Sequence, residues 1–148
     1  MARSVLPEPR TGLVIGYSYL WEEEFRAGQE EGRKERPCAV VIATRSEEGD
    51  IVVTAAAITH QQPRDPGDGI EVPPEVKRSL GLDDAPSWLI CSELNRFVWP
   101  GPNLRPISRL KPGQFTYGML PRPFMLRVFE HLTALRAQRR PVVVMRTA

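Results

Sequence analysis

Two apolar stretches, separated by a short polar turn, dominate the pattern of hydrophobic and polar positions along the chain. The first runs from Cys38 to Ala43, the second runs from Ile51 to Ile58, and between them lies the segment RSEEGD. The β-branched residues and the tight polar loop predict a hairpin of two core strands. Because one strand of a hairpin starts beside the end of the other, the polar residues flanking the pair should meet at one end of the sheet.

Further elements follow from the same kind of pattern. Alternating apolar residues predict a first strand over Gly12–Trp21. The nearly continuous apolar run Ser87–Trp99 predicts one core strand that is either buried on both faces or bent through a barrel. A long helix is predicted over Pro121–Gln138 by an apolar stripe at helical spacing, which consists of Met125, Val128, Phe129, Leu132 and Leu135. Shorter elements are expected at Glu22–Ala27 (a helical turn), Ile70–Val72 (a strand), Pro73–Gly81 (a helix), Phe115–Leu120 (a strand) and Val142–Met145 (a strand or an ordered tail).

These elements predict one domain of the α+β class over residues 1–148. Its sheet should be small, curled and mostly antiparallel, with the long helix packed on it. Residues 1–10 are expected to form a flexible arm and residues 139–148 a tail or terminal strand. The 15 prolines favour many loops, including segments 61–69 and 100–112.

The two cysteines and the hydropathy pattern bear on where the protein acts. Cys38 and Cys91 both lie in apolar runs, as expected of small core residues in a reducing compartment. The N-terminal segment MARSVLPEPR has no apolar stretch of signal-peptide length, and no run in the sequence approaches the ~20 residues of a membrane span. We therefore expect a cytoplasmic protein without a membrane partner.

The formal charge is only +2, but it is unevenly distributed. From Asn103 to the end there are nine Lys or Arg residues and one acidic residue, Glu130. The rest of the chain has more acidic than basic residues. Such asymmetry fits either a polyanionic partner or a solvated basic face.

Several short motifs occur in a fixed order along residues 12–136. They are Gly12 opening a strand, Glu31 five residues before Arg36-Pro37, the run CAVVI, the phrase AAIT ending at Thr59, and the later strand SWLICSEL. In this order they resemble the MazF/PemK (Kid-like) toxins of bacterial toxin–antitoxin pairs. The resemblance implies an SH3-like antiparallel β-barrel with a C-terminal helix, a homodimer, a small acidic antitoxin as partner, and sequence-selective cleavage of single-stranded RNA without a metal or cofactor.

The same resemblance implies three catalytic residues, which are Arg36, Thr59 and Glu31. One position departs from the family pattern. Where the family has Glu-Gln-x-Arg in its buried strand, this chain has ELNR at positions 93–96. The arginine charge is therefore either moved to Arg96, which would point to the opposite face, or lost at Asn95.

The residues themselves also fit this chemistry. Metal-free RNA cleavage must remove a proton from the 2′-hydroxyl, stabilise charge on the phosphoryl oxygens and protonate the leaving oxygen. Arg36 offers a planar donor fork for a phosphate, Thr59 offers a short neutral donor, and Glu31 could accept the proton. His60 could serve either proton role, but neighbouring strand residues face opposite ways, so only one of Thr59 and His60 can face Arg36 unless the strand has ended. We favour Thr59, as the resemblance does.

Five residues are further candidates for substrate contact: His60, Asn95, Arg96, Trp99 and Lys34. Trp21, Trp88 and Trp99 could stack on bases; Trp99 is the better candidate, whereas Trp88 is expected in the core. Plain surface or strand-end polarity would also account for the polar members of this set. Two other functions stay open beside the nuclease: a non-catalytic toxin that acts by contact, and an RNA-binding module on the same barrel.

Overall fold

The computed structural model describes residues 6–29 and 35–146. Within these ranges the chain forms eight β-strands and three α-helices. The strands are β1 Leu13–Ser18, β2 Glu35–Arg45, β3 Ile51–Thr59, β4 Gly69–Glu71, β5 Trp88–Ile90, β6 Glu93–Val98, β7 Thr116–Met119 and β8 Val142–Met145. The helices are α1 Glu22–Arg26, α2 Pro74–Ser79 and α3 Arg122–Ala137.

The predicted hairpin is confirmed as the antiparallel pair β2–β3. Its register runs from Cys38 opposite Ala57 to Arg45 opposite Ile51, with an irregularity between Val40 and Ile42. Both strands are longer than their apolar cores, because the flanking polar residues continue the extended backbone. Arg36 therefore lies within β2, and β3 ends at Thr59.

The strand order along the sheet is β4-β5-β3-β2-β1-β7, and β6 pairs with both β3 and β8. The prediction of one continuous strand over Ser87–Trp99 is wrong, because this segment forms β5 and β6, which pair with opposite ends of β3. At the break, the N–H groups of Cys91 and Ser92 both donate to the carbonyl oxygen of Asp68, at 2.7 and 3.3 Å. These hydrogen bonds turn the backbone away from β3 between the two strands.

The last strand, β8, adds to the sheet in parallel with β6. All other strand pairs are antiparallel, so the α+β class and the mostly antiparallel sheet are confirmed. Among the described strands, no pairing joins the ends of the sheet, so the sheet is open where an SH3-like barrel would be closed. No helix in the described ranges has the length and apolar content needed to cross a bilayer.

Two apolar clusters cover the two faces of the central strands. On one face, α3 packs Phe124, Met125, Val128 and Leu135 against the sheet. Phe129, which belongs to the predicted stripe, is instead 37% exposed, because the helix is rotated so that Phe124 takes the inner position. The two cysteines are free and buried, as predicted for core residues, and burial raises the pKa of the Cys91 thiol to about 12.

The second cluster, on the other face, is covered by the proline-rich segment 100–112. Its Leu104 packs on this cluster beside Tyr17, and the N–H of Arg105 donates to the carbonyl oxygen of Gly16 at 2.8 Å. A Cβ atom at Gly16 would collide with the carbonyl oxygen of Arg105. Glycine is therefore required here for the segment to lie directly on β1.

Candidate active site

Arg36 and Thr59 meet at the open end of the β2–β3 hairpin, as antiparallel geometry predicts. The guanidinium Nη1 of Arg36 donates to Thr59 Oγ1 at 3.4 Å. The same hydroxyl oxygen accepts the backbone N–H of Gln61 at 3.2 Å, which fixes the rotamer of Thr59 just after the strand ends. A cation and a hydroxyl from successive strands therefore converge on one point.

Trp21 supports the Arg36 guanidinium from one side. The guanidinium carbon lies 5.5 Å from the centroid of the indole ring, within the range of a cation–π contact. Trp21 is held in turn by an edge contact with Tyr19, at a centroid distance of 4.9 Å. Arg36 has five N–H donors, and its contacts with described residues use one of them in a hydrogen bond.

These side chains line an open groove of about 610 Å³. Arg36, Thr59 and Trp21 form part of its wall, and Arg64 from the loop after β3 adds a second guanidinium. The volume lies in the range typical of small-molecule sites in proteins. The groove is large enough for a nucleotide to reach both Arg36 and Thr59.

Glu93 also lines this groove, and sequence reasoning did not select it as a candidate. Its Oε1 accepts the backbone N–H of Glu22 at 3.0 Å, which ties β6 to the start of α1. Burial raises the pKa of this carboxyl above its ordinary value, and the neighbouring Glu22, Asp68 and Glu23 raise it further. The sequence feature that could have drawn attention to Glu93 is the presence of an acidic residue in the middle of the apolar run Ser87–Trp99.

His60 contacts Asp83 and not Arg36, although β3 has ended at the preceding residue. Its Nε2 lies 2.9 Å from Asp83 Oδ2, and Lys77 Nζ lies 2.9 Å from Asp83 Oδ1. The hydrogen bond from Lys77, followed by the one from His60, lowers the pKa of Asp83 to about 2. His60 does not line the groove, so Thr59 alone of this pair faces Arg36.

Asn95 lies inside the protein and not in the groove. Its side chain is fully buried: Nδ2 donates to the carbonyl oxygen of Leu20 at 2.7 Å, and Oδ1 accepts the N–H of Leu20 at 2.9 Å. Oδ1 also accepts Arg146 Nη1 at 3.0 Å. These contacts give Asn95 a structural role, and its burial removes it from any surface that a substrate could reach.

Three further candidates are also absent from the groove lining. Arg96 donates from Nε to Thr54 Oγ1 at 3.1 Å within the sheet. Trp99 packs on the second apolar cluster, with its ring centroid 6.4 Å from that of Phe97. Trp21, not Trp99, is the tryptophan that lines the groove, and Trp88 is half-buried on β5.

The candidates Glu31 and Lys34 lie outside the described residues. None of the basic residues of the last third of the chain is among the described side chains that line the groove. Arg146 is buried, and Arg140 pairs at 2.8 Å with Asp68, which lines the groove. The guanidiniums of the groove come instead from Arg36 and Arg64.

No protein-family model matches the chain, and no curated protein is detectably similar to it. The described ranges contain no group of three or more His, Cys, Asp or Glu side chains that could hold a metal ion. The chemistry of the groove therefore has to be argued from its own residues.

Proposed function

We propose that this protein is a metal-independent endoribonuclease that cleaves single-stranded RNA, acting as the toxin component of a type II toxin–antitoxin system. The observation that carries the proposal is the meeting of Arg36 and Thr59, 3.4 Å apart, in a groove of about 610 Å³. The ordered motifs that resemble MazF/PemK toxins supply the identity of the substrate.

Arg36 and Thr59 bind the phosphoryl group that is attacked. The guanidinium supplies a permanent positive charge and further N–H donors besides the one that Thr59 accepts, and the threonine hydroxyl can turn its proton toward a non-bridging oxygen. Both groups are held before substrate arrives, Arg36 by Trp21 and Thr59 by the N–H of Gln61. Such preorganised donors stabilise the charge that develops on the phosphoryl oxygens in the transition state.

The reaction is an attack of the 2′-oxygen on the adjacent phosphorus. The O2′–P bond forms, the P–O5′ bond breaks, and the products are a 2′,3′-cyclic phosphate and a free 5′-hydroxyl. Glu93 takes the 2′-hydroxyl proton, water in the open groove protonates the leaving oxygen, and Glu93 then returns its proton to solvent. Glu93 suits this role because its raised pKa makes the carboxylate a stronger base. Glu31 is the acidic residue that the resemblance implies for the same step.

The resemblance extends the proposal to the architecture and the partners. We regard the eight-stranded sheet as an opened form of the SH3-like barrel, and the active toxin as a cytoplasmic homodimer. A small acidic antitoxin would restrain it by occupying the groove through Arg36 and Arg64, the two guanidiniums that line it.

The test is incubation of the purified protein with defined single-stranded RNA in EDTA, followed by analysis of the new ends. The expected products carry a 2′,3′-cyclic phosphate, and DNA of the same sequence is not cut because it lacks the 2′-hydroxyl. Arg36→Ala should abolish cleavage. Arg45→Ala is the matched control, because Arg45 lies on the same strand but at the far, exposed end of the hairpin.

The other functions predict different results in this assay. A gel shift without cleavage would identify an RNA-binding module. Growth arrest on expression with intact RNA would identify a non-catalytic toxin. Equal cleavage by Arg36→Ala and wild type would remove the groove from the reaction and contradict the proposal.

A further inference from the structure

The charge inside the groove is unevenly placed. Arg36 and Arg64 are its two guanidiniums, whereas carboxylates from α1 and β6 line the part of the groove around Trp21. We call this part the Trp21 end; its carboxylates belong to Glu23, Glu24 and Glu93. A second phosphate placed there would be repelled, because like charges at such short range interact unfavourably even near a protein surface. The Trp21 end therefore suits a neutral group that carries hydrogen-bond donors.

Two hydrogen bonds hold two of these carboxylates against the backbone at the start of α1. Glu24 Oε1 accepts the backbone N–H of Trp21 at 3.1 Å, and Glu93 Oε1 accepts the N–H of Glu22 at 3.0 Å. Glu23 is the next residue of the same helix; it lines the groove and its side chain is exposed. Trp21 and Glu23, two positions apart in the chain, thus line the same groove. Of the three carboxylates, Glu23 is the one for which no hydrogen bond from a backbone N–H of α1 is found among the described residues.

The Trp21 end is also close to the phosphate position. The Arg36 guanidinium that would hold the phosphate lies 5.5 Å from the centroid of the Trp21 ring. A single nucleotide bound through its phosphate to Arg36 therefore brings its base to the indole and to the carboxylates. Proteins that read single-stranded RNA commonly stack bases on aromatic side chains and bond their exposed edges.

We infer that the Trp21 end selects a guanine base next to the phosphate held by Arg36, with Glu23 accepting hydrogen bonds from the base. Guanine presents its N1–H and N2–H groups side by side, so one carboxylate can accept both. Cytosine and adenine present one amino group beside an acceptor nitrogen, and uracil places two carbonyl oxygens on either side of its one donor. The inference rests on the proposed function for the nature of the substrate, and it adds a preference for guanine at one position of the RNA.

The first experiment measures base selectivity without cleavage. The 3′-monophosphates of guanosine, adenosine, cytidine and uridine are titrated into the full chain, and binding is followed by calorimetry and by quenching of tryptophan fluorescence. The guanosine nucleotide should bind at least about 10-fold more tightly than the uridine nucleotide, which is the discrimination typical of a good bidentate contact.

The second experiment changes the carboxylate. Glu23→Gln should remove most of the guanosine preference and favour adenosine, because a glutamine amide both donates to and accepts from adenine. Glu47→Gln is the matched control, with the same change of charge at the exposed turn of the hairpin, and it should behave as wild type. RNA cleavage by the same preparations is measured in parallel.

The outcomes separate this inference from the proposed function. A guanosine preference that Glu23→Gln removes and Glu47→Gln keeps supports the inference, whether or not RNA is cut. Equal binding of the four nucleotides, a preference for uridine, or no binding at all overturns it. If the wild type still cleaves RNA in that case, the nuclease proposal stands and only the base preference is lost.

Discussion

Among the described arginines that lie over aromatic rings, Arg36 and Arg146 differ in what else they contact. Arg36 lies 5.5 Å from the ring centroid of Trp21 and Arg146 lies 5.4 Å from that of Tyr17. Arg146 is 7% exposed and donates to Ser18 O at 2.6 Å and to Asn95 Oδ1 at 3.0 Å. Arg36 is half-buried in an open groove, and its hydrogen bond to a described residue is the long one to Thr59.

The difference separates a structural cation from one available to a ligand. Arg146 is engaged by the backbone of β1 and by the core asparagine, so its donors stabilise the fold. Arg36 is held in place by an aromatic face, and its contacts with described residues use one of its five N–H donors in a hydrogen bond. A substitution of Arg36 in the groove should therefore lower the cleavage rate. A substitution among the buried contacts of Arg146 should lower the free energy of unfolding.

The largest effect should come from Arg36→Lys. Lysine keeps the positive charge but loses the planar fork, so cleavage should fall by about 10³-fold, the loss seen when a preorganised donor is removed from a developing oxyanion. The free energy of unfolding, measured by urea denaturation, should change by less than about 0.5 kcal/mol, as for other substitutions outside the core. If Arg36→Lys lowered the free energy of unfolding as much as a substitution in the core does, Arg36 would have a structural role like that of Arg146.

Asn95→Ala is the converse substitution. It leaves the N–H and carbonyl groups of Leu20 and one contact of Arg146 without a partner, so the free energy of unfolding should fall by about 3 kcal/mol. Urea denaturation measures this change. Cleavage by the fraction that remains folded should stay within an order of magnitude of wild type. A stable but inactive Asn95→Ala protein would show that Asn95 takes part in substrate contact after all.

Glu93→Gln tests the acidic residue of the groove. Glutamine can still accept the N–H of Glu22 but cannot accept a proton, so cleavage should fall by about 10²-fold. In wild type the pKa of Glu93 is raised, so the reactive carboxylate is lost as the pH falls, beginning at a higher pH than for an ordinary glutamate. The acidic limb of the pH–rate profile should disappear in the variant. An unchanged profile would transfer the role to another acid, with Glu31 the first to test.

The smallest effect should come from Asp83→Asn, beside the groove. The folded pKa of Asp83, about 2, is below the ordinary value, so its ionised form stabilises the fold above the unfolded pKa near 4 and this contribution is lost as the pH falls toward 2. Asp83 is exposed, and the buried Lys77 ammonium keeps the carbonyl oxygen of Ala85 as an acceptor, so the loss near neutral pH should be about 1 kcal/mol or less. Cleavage should stay within about twofold. A large loss of cleavage would bring His60 back into the reaction.

Local sequence patterns were sufficient to predict the part of the site that two neighbouring strands build. The polar turn and the two apolar runs predict the hairpin, and antiparallel pairing then brings Arg36 beside Thr59. The same patterns predict α3 and the short helix α2, since caps and periodicity are local properties. The rotation of α3 that buries Phe124 in place of Phe129 depends on the sheet beneath it.

The rest of the site depends on contacts between distant parts of the chain. The break between β5 and β6 depends on the hydrogen bonds that the N–H groups of Cys91 and Ser92 donate to the carbonyl oxygen of Asp68. The strand β8 pairs in parallel with β6, which is distant from it in the sequence. Glu93 enters the groove because β6 is tied to Glu22, 71 residues earlier. Asn95 is expected from the sequence to contact the substrate or to be a polar residue at a strand end, but it is buried, with hydrogen bonds to the backbone of Leu20. No local pattern around these residues reveals such partners.

The central claim is that Arg36 and Thr59 act on the same phosphate, and a double-mutant cycle tests it most directly. Single-turnover cleavage of one defined RNA in EDTA is measured for wild type, Arg36→Lys, Thr59→Val and the double variant. If both side chains bind one phosphoryl group, the double variant should be less impaired than the product of the single effects, with a coupling energy of at least about 1 kcal/mol. A coupling energy below about 0.3 kcal/mol would mean that the two substitutions act independently and would contradict the account. A wild-type protein that leaves the RNA intact would contradict it as well.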